Sequence, residues 1–363
     1  MPGARTDFDI AIIGAGPAGS SAAITSARLG ARVALFDVGE FPRQKVCGEF
    51  VSAESIDVLR DLLQPAARPV VDASPVIDQA RLLFSGRSIR IAISPTGLSI
   101  TRYRLDFLLW QAASQSGART YPRCEVRAVE GKGPFRLDTS WGKIGASSVI
   151  IAAGRWSRFT PSRQPQGPKW LGLKTHYYEC QPPASADLYF FRLGYCGVQR
   201  VAGNVVNVCA MIRSDVATSL NQVFAQHSEL AERALAWQAV GEPISTAPLI
   251  YRVPQPGRDN LIQVGDAAAF IDPFVGDGIS IALRSGRLAA FELASFVRGT
   301  VSLPSAVDRY RAQYKQQFVP LIDAASRIRA LLSWPQPAQK MVFELLRTPG
   351  ILPYFVRRTR RAA

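Results

Sequence analysis

Residues 14–19 read Gly-Ala-Gly-Pro-Ala-Gly, and no other stretch constrains the fold as tightly. They follow a short apolar run, 7–13, with strand character, and precede an Ala-rich run, 17–29, with helix character. Residues 32–37 (Arg-Val-Ala-Leu-Phe-Asp) read as a second strand. Strand, tight turn, helix and strand make a βαβ unit, which builds parallel sheets. In the turn, Gly14 allows the sharp bend, Gly16 lets the backbone approach a pyrophosphate, and Gly19 lets helix and sheet pack closely. Pro17 and Ala18 open the helix, whose first N–H groups lack partners within it and suit phosphate oxygens. Asp37 lies 23 residues after Gly14, at the strand end, where a carboxylate can accept from ribose hydroxyls. The unit implies a dinucleotide without separating NAD from FAD.

A second glycine-bearing stretch lies far along the chain. A strand, 261–264, ends at Gly265-Asp266, and Pro273-Phe274-Val275-Gly276-Asp277-Gly278 follows. Gly265 permits a sharp turn that places Asp266 to bind a polyol chain. Pro273 and Phe274 offer an apolar surface. Gly276 and Gly278 free backbone N–H groups at a helix start, suited to partial negative charge. A flat ring with an electron-rich edge fits there.

Together these motifs resemble the FAD-dependent superfamily of p-hydroxybenzoate hydroxylase and geranylgeranyl reductase. Residues 41–49 (Phe-Pro-Arg-Gln-Lys-Val-Cys-Gly-Glu), Gly194-Tyr195-Cys196-Gly197 and Val206-Asn207-Val208 resemble the geranylgeranyl-reductase branch. Arg102-x-x-Leu105-Asp106 matches a helix start that faces the flavin nucleotide in this superfamily. The resemblance spans residues 8–300 in round numbers. It implies an α/β fold: a Rossmann-like FAD/NAD(P)-binding domain with an inserted antiparallel β-sheet substrate domain and C-terminal helices. It implies FAD, with Asp37 on the adenosine ribose and Arg102 beside the pyrophosphate. Asp266 would bind the ribityl-pyrophosphate region, and Gly276 and Gly278 the pyrimidine edge. The 41–49 loop would cross near the flavin. Cys47 could then tune the ring or protonate substrate, and Lys45 could favour an anionic flavin. A buried, inert thiol is the alternative for Cys47, and a solvated surface lysine for Lys45. Glu49 reads as a loop stabiliser.

The superfamily's middle motif, A-D-G-x-x-S, is Ala152-Ala153-Gly154-Arg155-Trp156-Ser157 in this chain. The missing carboxylate at 153 puts the usual docking of NAD(P)H in doubt, so another flavin, a ferredoxin or a separate reductase is an equal candidate for electron donor. The tryptophan-halogenase signature W-x-W-x-I-P is absent, which disfavours halogenation. In Lys174-Thr175-His176, the histidine is a candidate for proton transfer, because its ordinary pKa lies near neutrality; a structural role is the alternative. Tyr195 reads as a core tyrosine or a ligand for a substrate oxygen. The implied enzyme is an oxidoreductase acting on an apolar prenyl, lipid-like or aromatic substrate. Saturation of a C=C bond is slightly preferred. Monooxygenation through a flavin C4a-hydroperoxide is the alternative, and a non-catalytic flavoprotein partner is the third reading.

At 363 residues the chain suits two joined domains, at about 150 residues each. Its 47% apolar and 20% charged residues exclude a disordered chain. The FAD-binding domain is expected over 1–77, 101–168 and 258–300, and the substrate domain over 78–100 and 169–257. The latter holds a hairpin turning at Ser85-Gly86 and short β-like runs at 187–192 and 204–212. A helix is expected over 102–115, with Leu105, Leu108, Leu109 and Ala112 on one face. Five cysteines, no C-x-x-C pair and two histidines disfavour a disulfide framework or a metal centre.

No apolar run reaches the roughly 18 residues of a membrane span, and the N-terminus lacks signal-peptide order. A cytoplasmic protein is expected. Residues 301–363 read as helices broken at Pro320, Pro335, Pro337 and Pro349. Residues 298–363 hold twelve Lys/Arg against three Asp/Glu, a balance of +9 in a chain of net charge +15. Leu321, Ala325, Ile328 and Leu332 share one helical face; Leu345, Leu346, Ile351, Leu352 and Phe355 follow, then Arg357-Arg358-Thr359-Arg360-Arg361. Apolar surface beside clustered cations suits peripheral attachment to an anionic membrane, and a packed helical bundle with a solvated tail is the alternative. Nucleic acid is disfavoured, since no binding motif accompanies the charge.

Overall fold

The computed structural model describes residues 6–155, 157–159, 167–331 and 333–347. The chain opens with β1 (Phe8–Ile13), α1 (Pro17–Arg28) and β2 (Val33–Phe36), then β3 (Phe50–Val51), α2 (Ile56–Leu62) and α3 (Arg68–Asp72). The hairpin β4 (Val76–Phe84) and β5 (Arg87–Ser99) is followed by α4 (Arg102–Gln115), β6 (Arg119–Tyr121), β7 (Val126–Glu130), β8 (Phe135–Thr139) and β9 (Gly142–Ile151). Next come β10 (Trp170–Tyr178), β11 (Ser185–Phe191), β12 (Gly194–Ala202), β13 (Val205–Arg213), α5 (Leu220–Phe224), α6 (Ser228–Ala234) and β14 (Gln238–Thr246). Two short strands, β15 (Gly257–Arg258) and β16 (Leu261–Gln263), precede α7 (Gly278–Val297), α8 (Leu303–Leu331) and α9 (Gln336–Arg347).

The first sheet runs β15-β16-β9-β1-β2-β6, with β7 and β8 attached through β9. β1 is parallel to β2 and to β9, with Ile12 opposite Leu35 and Ile150. These three side chains are fully buried, as expected where helices cover both faces of a parallel sheet. α1 and α7 cross on one face, where the Ser21 hydroxyl donates to the Leu283 carbonyl at 2.7 Å. The crossing is close because position 286 is glycine: a Cβ there would lie 2.1 Å from the Ala18 carbonyl oxygen.

The second sheet runs β14-β10-β13-β12-β11-β4-β5-β3. Its pairings are antiparallel except one: β11 lies parallel to β4, with Ala186 opposite Ala80. The expected antiparallel layer holds in every pairing but that one. The two strands come from separate segments, and no hairpin ties their directions. On β10, Leu173 and Tyr177 join a core closed by Leu220, Val223, Phe224 and Leu230 of α5 and α6. The alternate residues, Gly172, Lys174 and His176, face the opposite way.

Two C-terminal expectations change. α8 continues through Pro320 instead of breaking. Tyr310, Tyr314 and Phe318 before it and Ile322 and Ala325 after it all sit in the main core, and this packing outweighs the backbone hydrogen bond that proline removes. Pro337 stands in the first turn of α9, where its missing N–H costs little. The chain does turn between α8 and α9, beside Pro335. Pro349, the apolar residues 351–355 and the arginine tail lie outside the described residues. Among the described residues, no helix is long and apolar enough to cross a membrane.

Candidate active site

A cavity of about 1140 Å³ separates the C-terminal edge of the parallel sheet from the open face of the second sheet. Gly14, Gly16, Pro17, Ala18, Asp37, Lys45, Cys47, Arg102, Gly265, Asp266, Pro273, Gly276 and Gly278 all line it, so the two halves of the sequence pattern converge. Gly19 does not line it. A Cβ there would lie 1.8 Å from the Gly14 carbonyl oxygen, so the residue serves the helix–turn contact.

Two helices point uncapped N-termini into this cavity. α1 starts after Gly16 and α7 after Asp277, neither with a side-chain cap. Their orphan N–H groups and partial positive charge suit a phosphate at one end and a polarised ring edge at the other. At Gly16 a Cβ would meet only an Arg102 nitrogen, at 3.9 Å, so the backbone is bare toward the cavity. Gly14 (φ +102°) and Gly276 (φ +81°) hold left-handed conformations. A Cβ at Gly14 would sit 2.4 Å from the Ala152 oxygen. These features fit FAD, whose pyrophosphate and pyrimidine need bare backbone at two separated points.

Asp37 accepts from Ala15 N–H at 2.7 Å, from Gly39 N–H at 2.8 Å and from both Arg43 guanidinium nitrogens. Those four bonds fill the roughly four acceptor sites of a carboxylate. In this arrangement a ribose hydroxyl reaches Asp37 by displacing Arg43. Arg102 forms a two-pronged pair with Asp106, both contacts 2.7 Å. Burial opposes its charge, but Asp106 outweighs that and raises its pKa. Asp266 lies 3.7 Å from Arg155, whose guanidinium covers the Phe270 ring at 4.1 Å. Desolvation at the cavity floor pushes the Asp266 carboxyl up, against the pull of Arg155. Lys45 projects into the cavity mouth, where lost hydration and then Arg43 lower its ammonium pKa.

Glu49 organises the Cys47 loop. It is fully buried, in a left-handed conformation (φ +61°). Its carboxylate accepts from the Lys174 ammonium, from His176 Nε2 at 2.7 Å and from Arg102 N–H at 2.7 Å. Burial raises its pKa, but the His176 hydrogen bond and the Lys174 charge outweigh that and leave it below the ordinary value. Lys174 also reaches the Lys45 carbonyl at 3.2 Å, and Asn207 donates to the Cys47 carbonyl at 3.0 Å. The loop is thus fastened to β10 and β13. The Glu49 N–H donates to Cys47 Sγ at 3.3 Å, and the thiol faces the cavity.

The sequence offered His176 for proton transfer. The ring does not line the cavity and spends Nε2 on Glu49, so it positions the loop from behind. Sequence reading also missed Lys174 and Asn207. Their alternation with apolar residues on β10 and β13 was the available signal, but their partners lie far away in the chain. Asp272, equally unforeseen, is buried and pairs with Arg329 at 2.9 Å, fastening α8 to the turn before α7.

The remaining wall is mostly apolar. Leu82, Ile91, Leu188 and Phe190 supply one side, and Ile328, Leu331, Val342 and Leu345 the other. Tyr195 stands among them, 4% exposed, its ring 5.9 Å from both Phe190 and Phe274. Burial raises the pKa of its hydroxyl well above the ordinary value. No cluster of possible metal ligands occurs among the described residues.

A Rossmann-like sheet, a bare glycine turn and a second uncapped helix facing one cavity define a FAD-dependent oxidoreductase. Residues 8–187 match the family described as pyridine nucleotide-disulphide oxidoreductase, and the proteins this chain is similar to include both reductases and a flavin-dependent brominase. The menaquinone reductase of Mycolicibacterium smegmatis is 26% identical, covering 92% of this chain and 86% of its own. Digeranylgeranylglycerophospholipid reductase 1 of Methanopyrus kandleri is 23% identical, covering 95% and 98%. Among solved structures, a flavin-dependent brominase superposes with TM-score 0.79 at 20% identity, covering 97% of this chain and 93% of that one. That likeness concerns the fold.

Proposed function

We propose that this protein reduces a carbon–carbon double bond in an apolar, prenyl-bearing or lipid-like substrate. The observation that carries the reading is the single cavity that joins the glycine-rich turn to an apolar chamber. The names of the two reductase relatives, one acting on a quinone and one on a prenylated phospholipid, agree with it. FAD, when bound, supplies the two-electron transfer to the substrate carbon. The chain's own residues do the rest. The N-termini of α1 and α7 bind and orient the cofactor. Leu82, Phe190 and Leu331 exclude water from the reacting bond. Cys47 holds a proton at Sγ on the cofactor side, and Tyr195 holds one at its hydroxyl on the substrate side. Lys174, His176 and Asn207 keep the Cys47 loop in place.

The test is anaerobic mixing of the chemically reduced protein with a short polyprenyl quinone and with a geranylgeranyl lipid. A product carrying two added hydrogens, formed as the flavin reoxidises, is expected. Failure with both substrates, together with an added oxygen atom once air is admitted, would replace the reading with monooxygenation. Flavin reduction and reoxidation without any product would leave a non-catalytic flavoprotein. The electron donor is proposed to be a separate reductase or reduced carrier, because Ala153 supplies no carboxylate for a nicotinamide ribose.

A further inference from the structure

The α8–α9 hairpin carries an unusual surface. Trp334, Met341 and Leu345 are 45%, 67% and 57% exposed, and Ile328 is 36% exposed. These side chains are not scattered. Ile328 and Leu345 line the apolar cavity as well, so the exposed patch is the outer rim of the chamber. The hairpin is seated from beneath: Phe343 is buried, its ring 5.7 Å from Phe84. Exposed cations accompany the patch in the chain. Arg327 and Lys340 are exposed on the hairpin itself, and Arg90 on the adjoining β4–β5 hairpin. Glu344, the acid of α9, is paired with Arg87.

We propose that this rim docks on an anionic lipid surface and that the bilayer is the source from which apolar substrate enters the cavity. Trp334, Met341 and Leu345 enter the headgroup–acyl boundary, while Arg327 and Lys340 lie among lipid phosphates. α9 has 12 residues, about 18 Å at 1.5 Å each, too short to span and suited to lie in the membrane plane. Charge complementarity selects the anionic lipid, and exposed apolar side chains at the mouth of an apolar chamber select a bilayer over a folded acidic protein. The route of entrance rests on the proposed reductase function; the docking does not.

The experiment is co-sedimentation of the full chain with vesicles of phosphatidylglycerol and phosphatidylcholine, and with phosphatidylcholine alone. Binding to the anionic vesicles is expected, with a blue shift in tryptophan emission that Trp334→Phe diminishes. Lys340→Glu should weaken binding at least about fivefold, the worth of one cation near such a surface. Met341→Asp should weaken it about tenfold, because a carboxylate replaces a membrane-facing apolar group. Both positions are exposed, and flavin content and circular dichroism report that the variants are folded. The proposal is overturned if the full chain ignores anionic vesicles, if Met341→Asp binds as well as the parent, or if the patch captures an acidic carrier protein in preference to vesicles. Turnover of a detergent-dispersed prenyl substrate separates the two claims. Turnover without vesicle binding removes the docking and keeps the function; vesicle binding without turnover does the reverse.

Discussion

Glu49 and Lys174 are both removed from water, and each is tolerable only because the other is there. Glu49→Gln leaves the Lys174 ammonium, 1% exposed, without its counter-charge. We expect a loss of about 3–5 kcal/mol, the usual cost of breaking a buried pair, measured by urea denaturation. Glu49→Gln with Lys174→Met should recover part of it. The pH dependence has a definite sign. Glu49 has a folded pKa below its ordinary value, so its contribution is complete above the ordinary carboxylate range and is lost as pH falls through the lowered folded pKa. Asp272 works in the opposite direction. Burial raises it from 3.8 to about 6, against the pull of Arg329. The folded state therefore takes up its proton first, and stability rises as pH drops from above 6 toward 4. Asp272→Asn should flatten that part of the stability–pH curve. The local residues of the glycine-rich turn were legible in the sequence, because a turn's geometry is set by its own residues. The Glu49 cluster was not: its partners at 174 and 176 meet it only through the placement of β10.

At the scale of elements, the α1–α7 crossing joins stability to cofactor binding. Gly286→Ala would put a methyl group 2.1 Å from the Ala18 carbonyl, so one helix must shift. Overpacking of this kind costs about 1–3 kcal/mol, and here the displaced segment is the helix N-terminus that faces the cavity. We expect the variant to fold with a lowered Tm and to lose FAD on gel filtration, measured by absorbance. The expected hairpin at Ser85-Gly86 and the helix over 102–115 emerged in place, because each depends on short-range pattern. α8 did not follow the sequence rule at Pro320, because its packed aromatic residues come from tertiary structure.

At the scale of the whole molecule, the cavity sits where neither sheet alone could enclose it. If electrons come from a separate donor, anaerobic NADPH should leave the flavin oxidised while dithionite bleaches it; rapid bleaching by NADPH would restore nicotinamide docking despite Ala153. The inserted sheet was legible as a layer, but its strand order was not. The lone parallel pairing of β4 with β11 also bears on how the chain emerges during synthesis. Its two strands lie about 100 residues apart, so at about 5–20 residues per second the β4 edge waits roughly 5–20 s for its partner. Over that interval a nascent chain carries an unpaired edge open to pairing with neighbours on the same message. Slow translation between residues 85 and 185 should therefore raise aggregation of this protein without altering the finished molecule.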